Sequence, residues 1–271
     1  MTAAYAEVIG DPVGQSLSPV IHGFWLEALG IEGRYGRRQV SRSKLPDYIA
    51  EKRADPAWRG SNVTMPLKLD AVALADGAAD WAVAAGAANV LMPREGHLIA
   101  ANTDVGAIVT LLNKLQAAKA KMGSVTLLGN GGAARAALVA LHLVGITAVR
   151  IQARDLGEAT RLCVEFGLDV GPAPLTAPIE SDGLINATPL GMSGRECLNC
   201  DLSHLPAQGW VFDMVYDPHD TPLLIAARQR DLLAVGGLDM LIEQAAASFK
   251  LFFGRDPPRD RDAELWQKLR P

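Results

Sequence analysis

The chain has 271 residues, 49% of them hydrophobic and 21% charged, with a formal net charge of −4. That length can bury one large core or two modest ones, and the balance is that of an ordinary globular protein. The acidic surplus argues against a nucleic-acid surface; Arg34, Arg37 and Arg38 come nearest to a basic run, and a solvated face explains them.

Residues 1–10 lack the basic start and apolar core of a secretory leader, so none is expected. Residues 4–9 read as a strand, 19–29 as a helix, 35–40 as a strand, 45–52 as a helix and 61–64 as a short strand before Pro66. Residues 89–92 and 98–101 bracket Arg94-Glu95-Gly96 and predict a hairpin. A helix is expected over 104–115, then a polar bridge over 116–123.

The apolar run Val125-Thr126-Leu127-Leu128 leads into Gly129-Asn130-Gly131-Gly132-Ala133-Ala134, and a helical pattern follows over 135–143. This strand–glycine–helix order is the phosphate-binding turn of a dinucleotide fold. Glycines let the backbone approach a pyrophosphate, and the helix N-terminus offers free N–H groups and a positive dipole end. Glycine turns of this kind also occur for plain packing. Residues 148–152 predict the next strand, and Arg154-Asp155 stand at its end, where such folds choose between a ribose hydroxyl and a 2′-phosphate. The longest nearly apolar stretch, 136–149, contains His142 and is too short to span a bilayer. A soluble, cytoplasmic protein is expected.

Residues 183–187 and 210–214 read as buried strands of one parallel sheet. Between them lie Cys197 and Cys200, a C-x-x-C with no second pair and no histidine cluster, so two loop cysteines are a better reading than a zinc site. A total of three cysteines fits a reducing compartment. An amphipathic helix over 238–253 carries Met240, Leu241, Ala245, Phe249 and Phe252 on one face, and Asp256-Pro257-Pro258 ends it. The order of elements predicts an α/β chain whose final helices pack back on its first domain.

Three polar clusters precede the glycine turn. Ser16 and Ser18 stand at a helix start, where two hydroxyls can hold a carboxylate; the alternative is that Ser18 caps the helix with Pro19 at its first position. In Asn62-Val63-Thr64-Met65-Pro66-Leu67-Lys68 a strand gives way to a helix with Lys68 about one turn in. A lysine held near a carbonyl can donate a proton during reduction, although most such lysines are only solvated. In Asn102-Thr103-Asp104 the aspartate either caps its helix or pairs with a catalytic cation.

Taken together these segments resemble the shikimate dehydrogenase family along nearly the whole chain. The matching stretches are Gly10-Asp11-Pro12 with Ser16-Leu17-Ser18-Pro19-Val20-Ile21-His22, NVTMPLK at 62–68, GAAN at 86–89, NTD at 102–104, GNGGAARA at 129–136, NATPLGM at 186–192, DMVYDP at 213–218 and GLDMLIEQA at 237–245. The resemblance implies an N-terminal α/β substrate domain, 1–103 completed by 238–271, and a Rossmann-type NADP-binding domain over 104–237. It implies reversible NADPH-dependent reduction of 3-dehydroshikimate to shikimate, in aromatic amino-acid biosynthesis, by a monomer or homodimer that takes a small-molecule substrate and needs no metal.

By the same resemblance Lys68 and Asp104 are the catalytic pair, with Asp104 orienting the ammonium. Ser16 and Ser18 hold the substrate carboxylate with Tyr216, while Thr64, Asn89 and Gln244 meet the ring hydroxyls. The cofactor is held by Gly129, Asn130, Gly131, Gly132 and Ala133, by Arg154, and by Thr188, Met192, Met214 and Gly237.

The chain departs from the family pattern in four places. Gly23 stands where asparagine is common and Val90 where threonine is common, so a polar contact at the pocket rim is in doubt. Asn130 replaces a small residue. Ala153-Arg154-Asp155 stands where the family often has Asn-Arg-Thr. Arg154 can clamp a 2′-phosphate, and Asp155 is expected to turn toward solvent; NADP is the expected cofactor, with NAD possible because of Asp155. Ser18, where quinate users often carry threonine, favours shikimate over quinate or dual use. Retention of both Lys68 and Asp104 argues against a catalytically silent dinucleotide-binding regulator, and Arg154 in place of an acid argues against a methyltransferase.

Overall fold

The computed structural model describes residues 3–270; Met1 and Thr2, part of the segment read for a leader, and Pro271 lie outside the described residues. The chain divides into two compact units, one formed by Met1–Thr103 with Ile242–Pro271 and the other by Asp104–Leu241.

The first unit contains β1 (Ala4–Gly10), α1 (Ser18–Ala28), β2 (Gly33–Gln39), α2 (Leu45–Arg53), β3 (Trp58–Val63), α3 (Lys68–Leu74), β4 (Gly77–Ala78), α4 (Asp80–Ala85), β5 (Val90–Arg94) and β6 (His97–Ala101). Its sheet has the order β2-β1-β3-β5-β6-β4. β1 runs parallel to β2 and β3, whereas β5 lies antiparallel to β3 and β6. The expected hairpin is therefore present. It turns through Glu95 and Gly96, both with positive φ (52° and 82°).

The second unit contains α5 (Thr103–Ala117, whose first residue belongs to the first unit), β7 (Ser124–Leu128), α6 (Gly132–Leu143), β8 (Ala148–Ala153), α7 (Leu156–Glu165), β9 (Ala173–Pro174), β10 (Gly183–Asn186), β11 (Trp210–Asp213), α8 (Pro222–Gln229) and β12 (Leu233–Val235). The strands form a wholly parallel sheet in the order β12-β11-β10-β7-β8-β9. Every residue of β10 and β11 is buried, as expected for a parallel sheet covered on both faces.

A long helix, α9 (Gly237–Phe253), leaves the second unit and ends in the first, and α10 (Asp262–Leu269) follows it. The apolar face expected on α9 is present: Ala245 and Phe249 are fully buried and Phe252 nearly so. Phe252 packs over β3 at Gly60, whose φ is +148° and where a Cβ would collide with the Phe252 ring. Phe249 packs edge-on against Trp25 of α1 at 5.5 Å. The last helices thus complete the first unit, as the order of elements predicts. Among the described residues no helix is long and apolar enough to cross a membrane.

Several local expectations shift. α6 begins at Gly132, so Ala133 and Ala134 lie inside the helix and not in the turn. α3 begins at Lys68 itself, with Leu67 as N-cap, so the lysine is the first helical residue and not one turn in. Asp104 is the second residue of α5, which places it in the first turn and not at the cap.

Candidate active site

In the first unit the polar residues converge through side chains. α1 starts at Ser18 with Leu17 at the N-cap and no cap from the Leu17 side chain. The Ser18 N–H donates to Ser16 Oγ at 3.3 Å. The alternative reading, a Ser18 cap, gives way to Ser16, whose oxygen takes an otherwise orphan helix donor and leaves its own proton for another acceptor. Both serines are buried.

Ser18 faces Tyr35 on β2. Burial raises the Tyr35 phenol well above the usual tyrosine range, and the Ser18 hydroxyl acts the other way. Tyr35 Oη donates to Asn62 Oδ1 at 2.6 Å, and Asn62 Nδ2 donates to the Asn89 carbonyl at 3.3 Å. The Asn89 amide donates to Thr103 Oγ1 at 2.8 Å and to Gln244 Oε1 at 3.3 Å, while its oxygen accepts the Thr103 N–H at 2.7 Å. Ser248 of α9 closes the group on Asn62 at 3.4 Å.

Lys68 and Asn89 lie on adjoining segments, because the Ala88 N–H donates to the Lys68 carbonyl at 2.8 Å. Thr64 is fixed through its N–H to the Ile9 carbonyl at 2.9 Å. The structure therefore gathers Ser16, Ser18, Thr64, Lys68, Asn89 and Gln244 into one unit. Asp104 and Tyr216 belong to the second. Asp104 is buried and continues directly from Asn102 and Thr103, which are held by Ala87 and Asn89.

His22, in α1, stacks on Tyr35 with centroids 3.9 Å apart and planes within 4°. It is fully buried, and among the described residues neither ring nitrogen has a hydrogen-bond partner. Burial lowers its pKa to about 3, so the ring is neutral at pH 7.

The second unit arranges its groups along the carboxyl ends of the parallel strands. Gly129 has φ +104°, and a Cβ there would stand 3.1 Å from the Thr188 methyl and 3.2 Å from the Ala187 carbonyl. Only glycine lets the β7 turn lie against the turn after β10. Gly131 is the N-cap of the twelve-residue α6 and no side chain caps it, so the N–H groups of Gly132 and Ala133 keep their outward donors. Asn130 is half-buried beside them. Arg135, in the same motif, is committed elsewhere through a bidentate pair with Glu165 at 2.6 and 2.7 Å.

Arg154 follows β8 and is exposed. Asp155 is exposed, as expected, and its Oδ1 also accepts the Glu158 N–H at 2.9 Å, capping α7. Its charge is thereby held at a helix N-terminus, which lessens repulsion of an anion at Arg154. An uncapped helix end, a turn that excludes a Cβ and an exposed guanidinium at the next strand fit a dinucleotide with a charged ribose.

Met192 and Met214 lie in the turns after β10 and β11, and the Met214 N–H donates to the Asn186 carbonyl at 3.0 Å. The Met214 carbonyl occupies the position a Cβ on Gly237 would need, so α9 can start there only with glycine. Cys197 is exposed and Cys200 half-buried in irregular chain; all the described cysteines are free. Burial, with Asp213 adding to it, pushes the Cys200 thiol up to about 11.

Sequence reasoning passed over Tyr35, Asn62, Thr103, Asn186, Asp213 and Thr221. Asn62, Thr103, Asn186 and Asp213 lay inside motifs already singled out, so a search for polar residues within those motifs would have found them. Tyr35 and Thr221 carried no such signal.

A model described as the shikimate dehydrogenase substrate binding domain matches residues 8–91, and one described as the shikimate 5′-dehydrogenase C-terminal domain matches residues 237–264. The chain is 48% identical over 263 residues to a shikimate dehydrogenase (NADP(+)) of Sphingopyxis alaskensis, covering 96% of this chain and 95% of that one. It superposes on the crystal structure of a Thermus thermophilus shikimate 5-dehydrogenase in complex with NADP(H) and shikimate, with a TM-score of 0.85, 34% identity and coverage of 98% and 99%. A quinate dehydrogenase from Corynebacterium glutamicum in complex with NAD is 29% identical, with a TM-score of 0.86 and the same coverage.

Proposed function

The chain belongs to the shikimate dehydrogenase family, and from that premise we propose which of its residues carry the reaction. It is an NADP-dependent oxidoreductase that interconverts 3-dehydroshikimate and shikimate, a step of aromatic amino-acid biosynthesis. NADPH, when bound, supplies the hydride that the carbonyl carbon receives. Lys68 donates a proton to the carbonyl oxygen as the alcohol forms and takes it back in the oxidative direction. Asp104 orients the ammonium and offsets its charge.

Ser16 and Ser18, with Tyr216, hold the carboxylate, and Thr64, Asn89 and Gln244 receive the ring hydroxyls. The uncapped start of α6 with Gly129, Asn130, Gly131, Gly132 and Ala133 holds the pyrophosphate. Arg154 takes the 2′-phosphate, while Thr188, Met192, Met214 and Gly237 line the other end. The observation that carries this reading is the braced cluster in the first unit, which ties Lys68 to the segment bearing Asn89 and Asn89 to Gln244. Shikimate is preferred to quinate, on Ser18. The protein works in the cytoplasm as a monomer or homodimer, which sedimentation resolves.

The test is turnover of 3-dehydroshikimate with NADPH, followed by the loss of nicotinamide absorbance, with quinate and NADP as the competing pair. Lys68→Ala lowers kcat by about two orders of magnitude or more and changes KM much less, because the interaction lost is made in the transition state. Asp104→Asn also lowers kcat. Near-normal turnover in Lys68→Ala refutes the assignment of the pair.

A further inference from the structure

Asp213 ends β11 and is 1% exposed. Among the described residues no lysine, arginine or histidine forms an ion pair with it, although a buried carboxylate ordinarily needs one. Three neutral donors hold it instead. Asn186 Nδ2 at 2.9 Å and the Val215 N–H at 3.1 Å donate to Oδ1, and Thr221 Oγ1 donates to Oδ2 at 2.6 Å. Burial raises its pKa and these donors oppose that rise.

A carboxylate is acceptor-only, and this fixes the direction of every bond around it. The Asn186 amide must turn its nitrogen to Asp213, so its oxygen faces the other way. There it accepts both the Thr188 N–H at 3.0 Å and the Thr188 hydroxyl at 2.7 Å. Thr188 Oγ1 then has a lone pair for the Leu190 N–H at 3.1 Å. Through Val215 the same carboxylate orders the turn that carries Met214 and Tyr216.

Two turns are thus tied to one charge. Both lie on the β10–β11 side of β7, whereas Arg154 lies on the β8 side. A dinucleotide crosses such a sheet where the strand order reverses. With the 2′-phosphate at Arg154, the β10–β11 side receives the nicotinamide half.

We propose that Asp213 is a positioning residue for the nicotinamide half of the cofactor, setting the orientation of Asn186 and Thr188 and joining the turns after β10 and β11. This rests on the reading of Thr188 and Met214 as cofactor residues. In Asp213→Asn the shape is kept, but a donor must face either Asn186 or Thr221. The KM for NADPH rises about tenfold or more. Adenosine 2′,5′-bisphosphate, which has the Arg154 end and no nicotinamide, keeps its competitive inhibition constant.

Asn186→Ala leaves the carboxylate with Val215 and Thr221 but cuts its link to Thr188, and it gives the same split; it decides the matter if Asp213→Asn does not fold. A rise in both constants together, or no change in either, overturns the proposal. Turnover of the unmodified protein reports on the underlying reading separately: without NADPH oxidation, that reading and this inference fall together.

Discussion

In the first unit, the residues assigned to the substrate are braced by side chains from far along the chain. Asn89 reaches Gln244 across 155 positions, and Tyr35 reaches Asn62 across 27. In the second, the turn proposed for the cofactor consists of backbone: a glycine with positive φ, an uncapped helix start and the carboxyl ends of parallel strands. The difference follows from the ligands. A ring with several hydroxyls and one carboxylate needs donors and acceptors at fixed positions, which only side chains locked by neighbours provide. A pyrophosphate presents diffuse charge, which a helix end meets with no side chain at all.

Three variants make that contrast measurable. Removing both hydroxyls in Ser16→Ala with Ser18→Ala has the larger effect, because each hydrogen bond to a charged group is worth about 1.5–3 kcal/mol. The KM for shikimate then rises by roughly two orders of magnitude or more, while the KM for NADP stays level. A level KM for shikimate would leave the carboxylate site unplaced.

Arg154→Ala acts on the other unit and is smaller. The KM for NADP rises about tenfold, and that for NAD hardly moves, since NAD has no phosphate there. In the same assay Asp155→Thr shifts preference toward NADP by a few-fold. It removes a negative charge yet keeps a side chain able to cap α7. If the unmodified protein favours NAD, Arg154 is not clamping a phosphate.

A last test, on stability and not on binding, addresses the first unit alone through its acidity. His22 binds a proton at about pH 3 when folded and near 6.5 when unfolded. Because the folded value is the lower one, the unfolded chain gains protons first as pH falls from 6.5 toward 3. Stability is lost across that window by up to about 1.4 kcal/mol per pH unit. His22→Phe keeps the ring stacked on Tyr35, removes the titration and flattens the acid limb of denaturant midpoint against pH. An unchanged slope would mean that the ring is hydrated in the native state.

The motifs were legible in the sequence because each is contiguous, and the glycine turn most of all, since its chemistry is in the backbone itself. The strands and the apolar face of α9 were legible for a similar reason, through hydrophobic periodicity. The bracing was not. Nothing near Tyr35 in the sequence marks it as a partner of Asn62, and Thr221 becomes meaningful only when β11 places Asp213 beside it. Short elements escaped as well: α4 has six residues and β12 three, too few for a period to declare itself. The start of α6 moved because Gly132 enters the helix at an end where no cap residue fixes the boundary.

The docking of Phe252 over Gly60 has a consequence for synthesis. The ribosome releases β1 to β6 well before the segment that covers Gly60, Trp25 and His22. Domains ordinarily fold as they emerge, N-terminal one first. Here the order is inverted: the stretch from Asp104 to Leu241 has all its strands before α9 emerges, whereas the hundred or so residues ahead of it wait with a sheet face bare. A stop codon placed just before α9 therefore injures the beginning of the protein more than its middle, and a nascent chain stalled there offers chaperones the apolar surface of β3 and α1.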